Sequence, residues 1–435
     1  MKVKIIGGGL AGSEAALQLA KKNINVELYE MRPEKTTGAH QTDKLGELVC
    51  SNSLGSKDLG AASGLLKEEL RMLGSFLIKF ADESSVPAGN ALAVDRDIFS
   101  EKITNAIKSN DYIKVFNEEI TEIPSDCPVI IASGPLTSDG LTKEIINFTG
   151  ADNLYFFDAI APIIEKDSVN FDKAFWASRY NKGEAAYINC PMNQAEYEKF
   201  YEIITTSPKI ELKSFEKDAK FFESCMPIEI MASRGKDTLR FGPLKPVGLI
   251  DDRTGDKNFA VVQLRQDNKA ATLYNLVGFQ TNLIWGAQKE LIHSIPGLEN
   301  AAIVRYGVMH RNTFIHSPSV IDSTLQSKKR LDLFFSGQIT GVEGYTESIA
   351  TGLLSGINMS RFINSECLLK LDSVSILGAL CSYITCHEHK NFQPINSNWG
   401  ILSPMEMDKK TKKDKKLKNK LLADRSINFM KDLGF

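Results

Sequence analysis

The sequence lacks the features that mark membrane-spanning and disulfide-stabilised proteins. No apolar run reaches the roughly 18 residues that a membrane-spanning helix needs, so none is expected. The first residues, MKVKIIGGGLAG, lack the long apolar segment of a secretory signal. Seven cysteines, an odd number without regular spacing, argue against a disulfide framework and predict a cytoplasmic protein. No Cys-x-x-Cys pair occurs, which counts against a thiol–disulfide oxidoreductase.

The chain also lacks an excess of charge of either sign. Its 52 lysines and arginines nearly balance 54 aspartates and glutamates, and the net charge of -2 does not indicate nucleic-acid binding. The charge is uneven, however, because residues 409–420 (KKTKKDKKLKNK) contain eight lysines and one aspartate. One interpretation of this run is a solvated tail or exposed helix face, and the other is a phosphate-binding appendage.

The length and the order of patterns predict more than one domain. A chain of 435 residues is too long for one compact core. Strand–turn–helix patterns occur near both ends, whereas residues 165–300 mix aromatic-rich strand-like runs with loops. We therefore predict an α/β fold in which one doubly wound domain, residues 1–164 and 301–435, is interrupted by a smaller α+β domain, residues 165–300.

The N-terminal pattern predicts a dinucleotide-binding loop. A short apolar strand (Val3–Ile6) runs into a Gly-x-Gly-x-x-Gly loop, a helix follows, and a second strand (Val26–Tyr29) ends in an acid. Its glycines permit a tight turn, a close approach to a pyrophosphate and close packing of the helix. The acid can accept hydrogen bonds from both ribose hydroxyls. The candidate cofactor-binding residues here are Gly7, Gly8, Gly9, Leu10, Ala11, Gly12 and Glu30.

A second glycine-rich strand-to-helix turn lies near the other end of the chain. Residues 331–362 predict a strand, a turn and a long helix with apolar residues four apart, and residues 95–109 predict another core-facing helix. The run at 128–135 is typical of a buried parallel strand that stops at a ligand crevice. The second turn adds three candidates that border the cofactor: Gly337, Gln338 and Tyr345.

A cluster of cysteine and histidine near residue 385 raises the question of a metal. Its members do not follow the usual zinc spacings, and two of them are adjacent, which makes it hard for both to bind one ion. We therefore predict no metal and expect surface thiols and imidazoles in a loop. The residues concerned are Cys381, Cys386, His387 and His389.

Long stretches of the chain resemble the folate- and FAD-dependent tRNA uracil-5-methyltransferases (the TrmFO family), which are relatives of the GidA-type flavoproteins. The resemblance covers residues 1 to about 400 and is carried by the following segments: ELVCSNSL, GLLKEELRMLGS, VPAGNALAVDRDIFS, GEAAYINCPM, FFESCMP, FGPLKPVGL, VVQLRQDN, TLYNLVGFQTNLIWG, IPGLENA, RYGVMHRNTFI and SGQITGVEGYTESIATGLLSGIN. It implies a Rossmann-like FAD-binding domain of the GidA and glutathione reductase type, interrupted by a smaller inserted domain.

The resemblance also implies a reaction and two catalytic thiols. Methylenetetrahydrofolate would supply the carbon, reduced FAD the hydride and NADH or NADPH the electrons for methylation of uridine C5 in the tRNA T loop. A thiolate that adds to uracil C6 makes C5 nucleophilic, and a second group must remove the C5 proton. We expect Cys225 to be the nucleophile and Cys50 the base or a transient covalent protector, with the reverse assignment left open. The remaining Cys127 and Cys190 are expected to be core or packing residues, and Cys367 is expected to be incidental.

The same resemblance implies contacts to folate and RNA. His310 and Arg311 are the candidates for stacking on the pterin and meeting the glutamate tail of the folate, and a structural histidine is the alternative. Arg234, Lys236 and the 409–420 run are candidate RNA contacts. Three other functions stay open: the same chemistry on ribosomal RNA, a GidA-like uridine modification, and a non-catalytic RNA-binding flavoprotein. The choice between NADH and NADPH and the oligomeric state also stay open.

Overall fold

The computed structural model describes residues 2–37, 39–150, 154–159, 161–181, 184–210, 226–251, 253–255, 257–307, 309–387 and 392–435. The strands are β1 (Lys2–Ile6), β2 (Asn25–Glu30), β3 (Ser53–Ser56), β4 (Ser85–Val86), β5 (Ala91–Val94), β6 (Ile113–Asn117), β7 (Val129–Ile131), β8 (Leu154–Ala159), β9 (Ile163–Glu165), β10 (Phe175–Ala177), β11 (Tyr187–Met192), β12 (Ala260–Gln266), β13 (Leu273–Leu276), β14 (Ile303–Arg305), β15 (Met309–Phe314) and β16 (Leu333–Phe335). The helices are α1 (Leu10–Ala20), α2 (Ala62–Met72), α3 (Phe76–Glu83), α4 (Arg96–Lys108), α5 (Asp139–Thr149), α6 (Gln194–Thr206), α7 (Ile228–Ser233), α8 (Thr238–Phe241), α9 (Trp285–His293), α10 (Ser317–Val320), α11 (Tyr345–Ile363), α12 (Ile376–Ile384), α13 (Lys409–Lys413) and α14 (Lys415–Asp432).

A five-stranded parallel sheet forms the centre of the larger part of the molecule. Its strand order is β16-β7-β1-β2-β6, and all neighbouring strands run parallel. The apolar side chains of β1 and β7 are buried because helices cover both faces of a parallel sheet. The sheet joins strands from both ends of the sequence, as the predicted interrupted α/β arrangement requires.

Helices α1 and α11 cross at unusually close range. A Cβ atom on Gly352 would lie 2.3 Å from the backbone oxygen of Ala11, and one on Gly356 would lie 3.0 Å from the Cα of Ala15. Small residues on one face of α11 therefore allow contact between two helix backbones. This contact fixes the second glycine-rich turn beside the first.

An antiparallel sheet organises the middle of the chain. Its order is β10-β11-β12-β13-β9-β14, and a separate hydrophobic cluster covers it. The strand-like runs of the sequence predict most of these strands. The domain boundaries at 164/165 and 300/301 stay a prediction.

Two smaller sheets were not predicted from sequence periodicity. Strands β3, β5 and β4 form a three-stranded antiparallel sheet next to helices α2 and α3. Strands β8 and β15 pair with each other, and β15 carries residues 310 and 311. The strands of the three-stranded sheet are only two or four residues long, which is too short for an alternating pattern to stand out.

The lysine-rich C-terminal segment is helical and docked. Asp408 and Asp414 accept hydrogen bonds from backbone N–H groups at the starts of α13 and α14. Leu422 and Met430 of α14 are buried in the main core, so the segment is anchored on one side. Lysines 413, 415, 416, 418 and 420 are exposed, so the run forms a helix face and not a free tail.

In the part of the chain that the structure describes, every helix is too short or too polar to cross a membrane.

Candidate active site

A cavity of about 970 Å³ lies at the carboxyl ends of the parallel strands. In an open α/β sheet, ligands bind at this edge. The loops after β1, β2, β7 and β16 all contribute to its wall. The cavity brings together eight of the sequence-predicted residues: Gly7, Gly9, Leu10, Ala11, Glu30, Gly337, Gln338 and Tyr345.

The glycine-rich loop has the geometry of a phosphate-binding turn. Gly7 has φ 108°, a value that favours glycine, and a Cβ atom on Gly12 would lie 1.9 Å from the Gly7 oxygen. A Cβ on Gly9 would meet no atom within 4 Å. Gly9 also precedes α1 without a side-chain cap, so the helix N-terminus presents backbone N–H groups at the cavity.

Glu30 is held by the loop and by an arginine two residues later. One carboxylate oxygen accepts a hydrogen bond from the Gly8 N–H at 3.0 Å. The other accepts from the backbone N–H and the Nε of Arg32, at 3.1 and 2.9 Å. Burial would raise the pKa of Glu30, but the hydrogen bonds and charge of Arg32 outweigh burial and lower it. Glu30 is therefore an ionised acceptor at the cavity wall.

Gly8 does not line the cavity but lies behind Glu30. A Cβ atom there would lie 2.5 Å from Leu45 and 3.0 Å from the Glu30 carboxylate. A larger side chain at Gly8 would therefore displace the acid that we expect to bind a ribose.

Arg32 is a site residue that sequence reasoning missed. Its guanidinium also donates to the Thr42 oxygen at 3.0 Å and to Glu47 at 3.1 Å, and the residue is only 2% exposed. Its position two residues after Glu30 was visible in the sequence. Its second partner, Glu47, lies fifteen residues away along an irregular loop, and no pattern links the two.

His40 lies on the same wall and was also missed. Burial, and secondly the nearby Arg32 charge, lower the pKa of His40 to about 4. Its Nδ1 lies 2.7 Å from the Thr37 hydroxyl. The imidazole is therefore neutral at physiological pH and adds no charge to the cavity.

A second cavity of about 1120 Å³ contains Cys50 and adjoins the first. The two cavities share four residues, which are Val49, Pro135, Gln338 and Tyr345. The Tyr345 hydroxyl accepts hydrogen bonds from the backbone N–H groups of Cys50 at 2.7 Å and Ser51 at 3.2 Å. Tyr345, the first residue of α11, therefore ties the Cys50 loop to the second glycine-rich turn.

Arg96 holds the same loop from the other side. Its guanidinium donates to the Leu48 oxygen at 2.7 Å and the Cys50 oxygen at 3.3 Å, and it pairs with Asp267 at 3.1 Å. The cysteine is thus placed by contacts from two helices, α11 and α4, and Asp267 in the loop after β12 orients the arginine of α4.

The side chains of three predicted site residues lie outside the part of the chain that the structure describes. Cys225 lies outside the described residues. The backbones of His310 and Arg311 pair with Asp158 and Phe157 in the β8–β15 ribbon, and their side chains lie outside the description. Of the candidate RNA contacts, Lys236 forms an ion pair with Glu198 at 2.8 Å on the surface.

The other cysteines occupy varied environments. Cys190 is fully buried in the antiparallel sheet, Cys127 is half-buried and Cys367 is exposed. The expectation of a surface thiol in a loop is wrong for Cys381, which is buried inside helix α12, where burial raises its pKa to about 12. Its helix is almost wholly apolar, so the thiol packs into the core with its neighbours.

The remaining members of that cluster are less buried. Cys386 is half-buried, His387 is exposed, and His389 lies outside the described residues. Among the described residues, no group of three His, Cys, Asp or Glu side chains is arranged to hold a metal ion.

The described residues fit a dinucleotide. The uncapped helix N-terminus matches a pyrophosphate, and the ionised Glu30 retains acceptor capacity for a ribose hydroxyl because three donors leave one of its lone-pair positions open. The adjoining cavity extends the site from the first glycine-rich turn to the second.

The chain matches the family model of glucose inhibited division protein A over residues 2–367. It is 56% identical over 435 residues to the methylenetetrahydrofolate–tRNA-(uracil-5-)-methyltransferase TrmFO of Halalkalibacterium halodurans, covering 99% of each chain. It is also 56% identical to the TrmFO of Bacillus anthracis over 430 residues, covering 99% of this chain and 98% of that one.

Solved structures show the same fold. Aquifex aeolicus GidA in its form II crystal superposes with a TM-score of 0.71 and 17% identity, covering all of this chain and 74% of that one. The form I crystal gives a TM-score of 0.66 over 88% of this chain and 69% of that one. The Rossmann-like fold class predicted from the sequence is therefore confirmed. With these two cavities and this similarity over nearly its full length, the chain belongs to the family of glucose inhibited division protein A and, within it, to the TrmFO proteins.

Proposed function

We propose that this protein methylates uridine C5 in the tRNA T loop, with methylenetetrahydrofolate as the carbon donor. The observation that carries the proposal is its 56% identity, over 99% of both chains, to a protein named for this reaction. The cavities supply the physical support, since a dinucleotide-shaped site adjoins a chamber that contains a thiol. We place the protein in the cytoplasm, where its tRNA substrate is made.

FAD would be held along the two cavities. The α1 N-terminus would bind the pyrophosphate and Glu30 a ribose, while Gly337, Gln338 and Tyr345 would border the rest of the cofactor. Bound and reduced by NADH or NADPH, FAD supplies the hydride that completes the methyl group.

Two thiols would carry out the chemistry on uracil. Addition of a thiolate to C6 makes C5 nucleophilic towards the carbon donor, and a second group then removes the C5 proton. We assign Cys225 as the nucleophile and Cys50 as the base or a transient covalent protector, with the exchange of these roles as the alternative. The Tyr345 hydroxyl and Arg96 hold the Cys50 backbone, which would restrict movement of the thiol loop when RNA enters. His310 and Arg311 are assigned to the folate.

The test uses two labels on one purified enzyme. With unmodified tRNA transcript and a reduced nicotinamide, label from methylenetetrahydrofolate should enter the RNA, and label from S-adenosylmethionine should not. Cys50→Ala and Cys225→Ala should each stop incorporation while FAD stays bound, because each removes one reacting group.

Cys127→Ala is the matched control, because Cys127 precedes β7 at the opposite, amino end of the sheet strands. Activity within about tenfold of wild type, a barrier change of roughly 1.4 kcal/mol, would remove the tested cysteine from the mechanism. Label from S-adenosylmethionine in the RNA would contradict the proposed reaction. Incorporation of label into bare ribosomal RNA and not into tRNA would show that ribosomal RNA is the substrate.

A further inference from the structure

An exposed aromatic stack lies at the start of helix α9. The Trp285 ring stacks on Tyr306 with centroids 5.4 Å apart and planes 13° from parallel. Trp285 is 61% exposed although Tyr306 covers one face of its indole, so the other face is open to solvent. The apolar side chains of Ile284 and Val304 are also exposed beside this pair in the sequence.

Two lysines flank the stack. Lys289 is exposed and lies one helical turn after Trp285, at the i,i+4 spacing that places two side chains on one face. Lys209 is exposed and pairs through its backbone with Leu283, two residues before Trp285. Glu290, also exposed, is the acid nearest in sequence and points about a quarter-turn away from Lys289 on the helix. The surface around the open indole face thus combines aromatic, apolar and cationic groups.

The stack is joined to the Cys50 cavity by the neighbouring residue. Tyr306 follows Arg305, whose guanidinium donates to the backbone oxygens of Ala39 at 3.0 Å and Val49 at 3.1 Å. Val49 and Cys50 both line the second cavity. The Trp285–Tyr306 stack is therefore adjacent in the chain to Arg305, which hydrogen-bonds to the wall of the Cys50 cavity. This is the cavity in which the methylation is proposed to occur.

We propose that the Trp285–Tyr306 pair is a stacking platform for an unpaired RNA base that neighbours the target uridine, with Lys289 and Lys209 contacting the phosphates. This inference rests on the proposed function. An enzyme that acts on a base in folded RNA must take that base out of its stack, which leaves the adjacent base without a neighbour. An aromatic face replaces that neighbour for any base, because every base has a π-face. Flanking cations favour nucleic acid over an apolar protein partner, since lysine is depleted at protein interfaces.

A fluorescence titration tests the contact directly. The chain has three tryptophans, so the variant Trp176→Phe/Trp399→Phe retains Trp285 alone. Unmodified tRNA transcript should quench its emission in proportion to binding, because a base stacked on the open indole face quenches it. Emission that stays unchanged at saturating tRNA would overturn the proposal.

Kinetics test the role of the contact. Trp285→Ala should raise KM for tRNA about tenfold, the loss expected for one stacked base, and leave FAD content and RNA-free oxidation of the reduced nicotinamide unchanged. Trp285→Phe should recover most of the loss. Trp176→Ala is the matched control, because Trp176 is also partly exposed (41%) and stacked, on Phe171, but lies on β10 at the other end of the sheet order. Lys289→Gln should lower the salt slope of tRNA binding by about one.

The outcomes separate the platform from the reaction. If wild type methylates tRNA and Trp285→Ala has the wild-type KM, the platform is wrong and the proposed function stands. If the wild-type enzyme does not methylate tRNA at all, the proposed function itself is wrong. If Trp285→Ala changes the oligomeric state measured by sedimentation, the face is an interface between copies of this chain, which also overturns the RNA assignment.

Discussion

Arg32 shows how one buried side chain organises the cofactor site. It lies between two carboxylates, Glu30 and Glu47, and only 2% of its surface is exposed. Its charge keeps Glu30 ionised despite burial, and its fork fixes the direction in which that acid accepts hydrogen bonds. Without it, two buried carboxylates would face each other across the same loop.

Removal of this guanidinium should destabilise the folded protein. Arg32→Met should lower the free energy of unfolding by about 3–5 kcal/mol, because it leaves buried carboxylates without their cation. Urea unfolding at one fixed FAD concentration measures the change. Arg71→Met is the matched control: Arg71 pairs with Asp82 on the surface, where both side chains are more than a third exposed, and the expected loss is within about 1 kcal/mol. Equal losses in the two variants would refute the role given to Arg32.

At the scale of elements, one buried acid joins three helices. Glu69 of α2 accepts hydrogen bonds from the Ile376 and Leu377 N–H groups at the start of α12, at 2.7 and 2.9 Å. It also accepts from the Ser426 hydroxyl of α14 at 2.6 Å. Burial raises the pKa of Glu69 to about 7, because three hydrogen bonds stabilise the carboxylate less than complete burial destabilises it. The lysine-rich helix is therefore anchored at a titratable position.

This position should make stability depend on pH. Between about pH 4.5 and pH 7 the folded protein holds a proton on Glu69 that the unfolded chain has lost, so stability should fall as the pH rises through this window. The loss is on the order of 3 kcal/mol. Urea unfolding of wild type and Glu69→Gln at pH 5 and pH 8 isolates it, because the variant cannot titrate there. Parallel pH dependences in the two proteins would show that Glu69 keeps an ordinary pKa.

The same helices show what the sequence could and could not predict. Helix α4 was predicted because Phe99, Ile103 and Ile107 repeat at helical spacing, and all three are buried. Strands β1 and β2 and the glycine-rich loop were predicted because their signals are local. The anchoring of α14 was not predicted, because lysines dominate the composition of this helix. The hydrogen bond that anchors it joins Ser426 to Glu69, which lies 357 residues earlier in the chain.

In the part of the chain that the structure describes, two large hydrophobic clusters form most of the core, and a polar network connects them. Asn52 is fully buried and lies next to the strand that begins the three-stranded sheet. Its amide nitrogen donates to the Val94 and Gln266 oxygens at 3.0 and 2.9 Å. Its oxygen accepts from Arg265 and Asn275 of the antiparallel sheet, both at 3.1 Å. Every hydrogen-bonding position of this amide is used, and the thiol loop is bound to both sheets through it.

Loss of this side chain should therefore weaken the coupling between the two parts. Asn52→Ala removes four buried hydrogen bonds, and at about 0.5–1.5 kcal/mol each the expected loss is roughly 2–6 kcal/mol. Scanning calorimetry should show the wild-type transition split into two, because the antiparallel sheet no longer shares these polar contacts with the three-stranded sheet, which packs in the other cluster. Asn105→Ala, at an exposed position on α4, should change stability by less than about 0.5 kcal/mol. A single transition for Asn52→Ala at the wild-type temperature would mean that apolar contacts alone join the two clusters. A split transition with reduced methylation would show that the same buried amide both holds the molecule together and places its thiol.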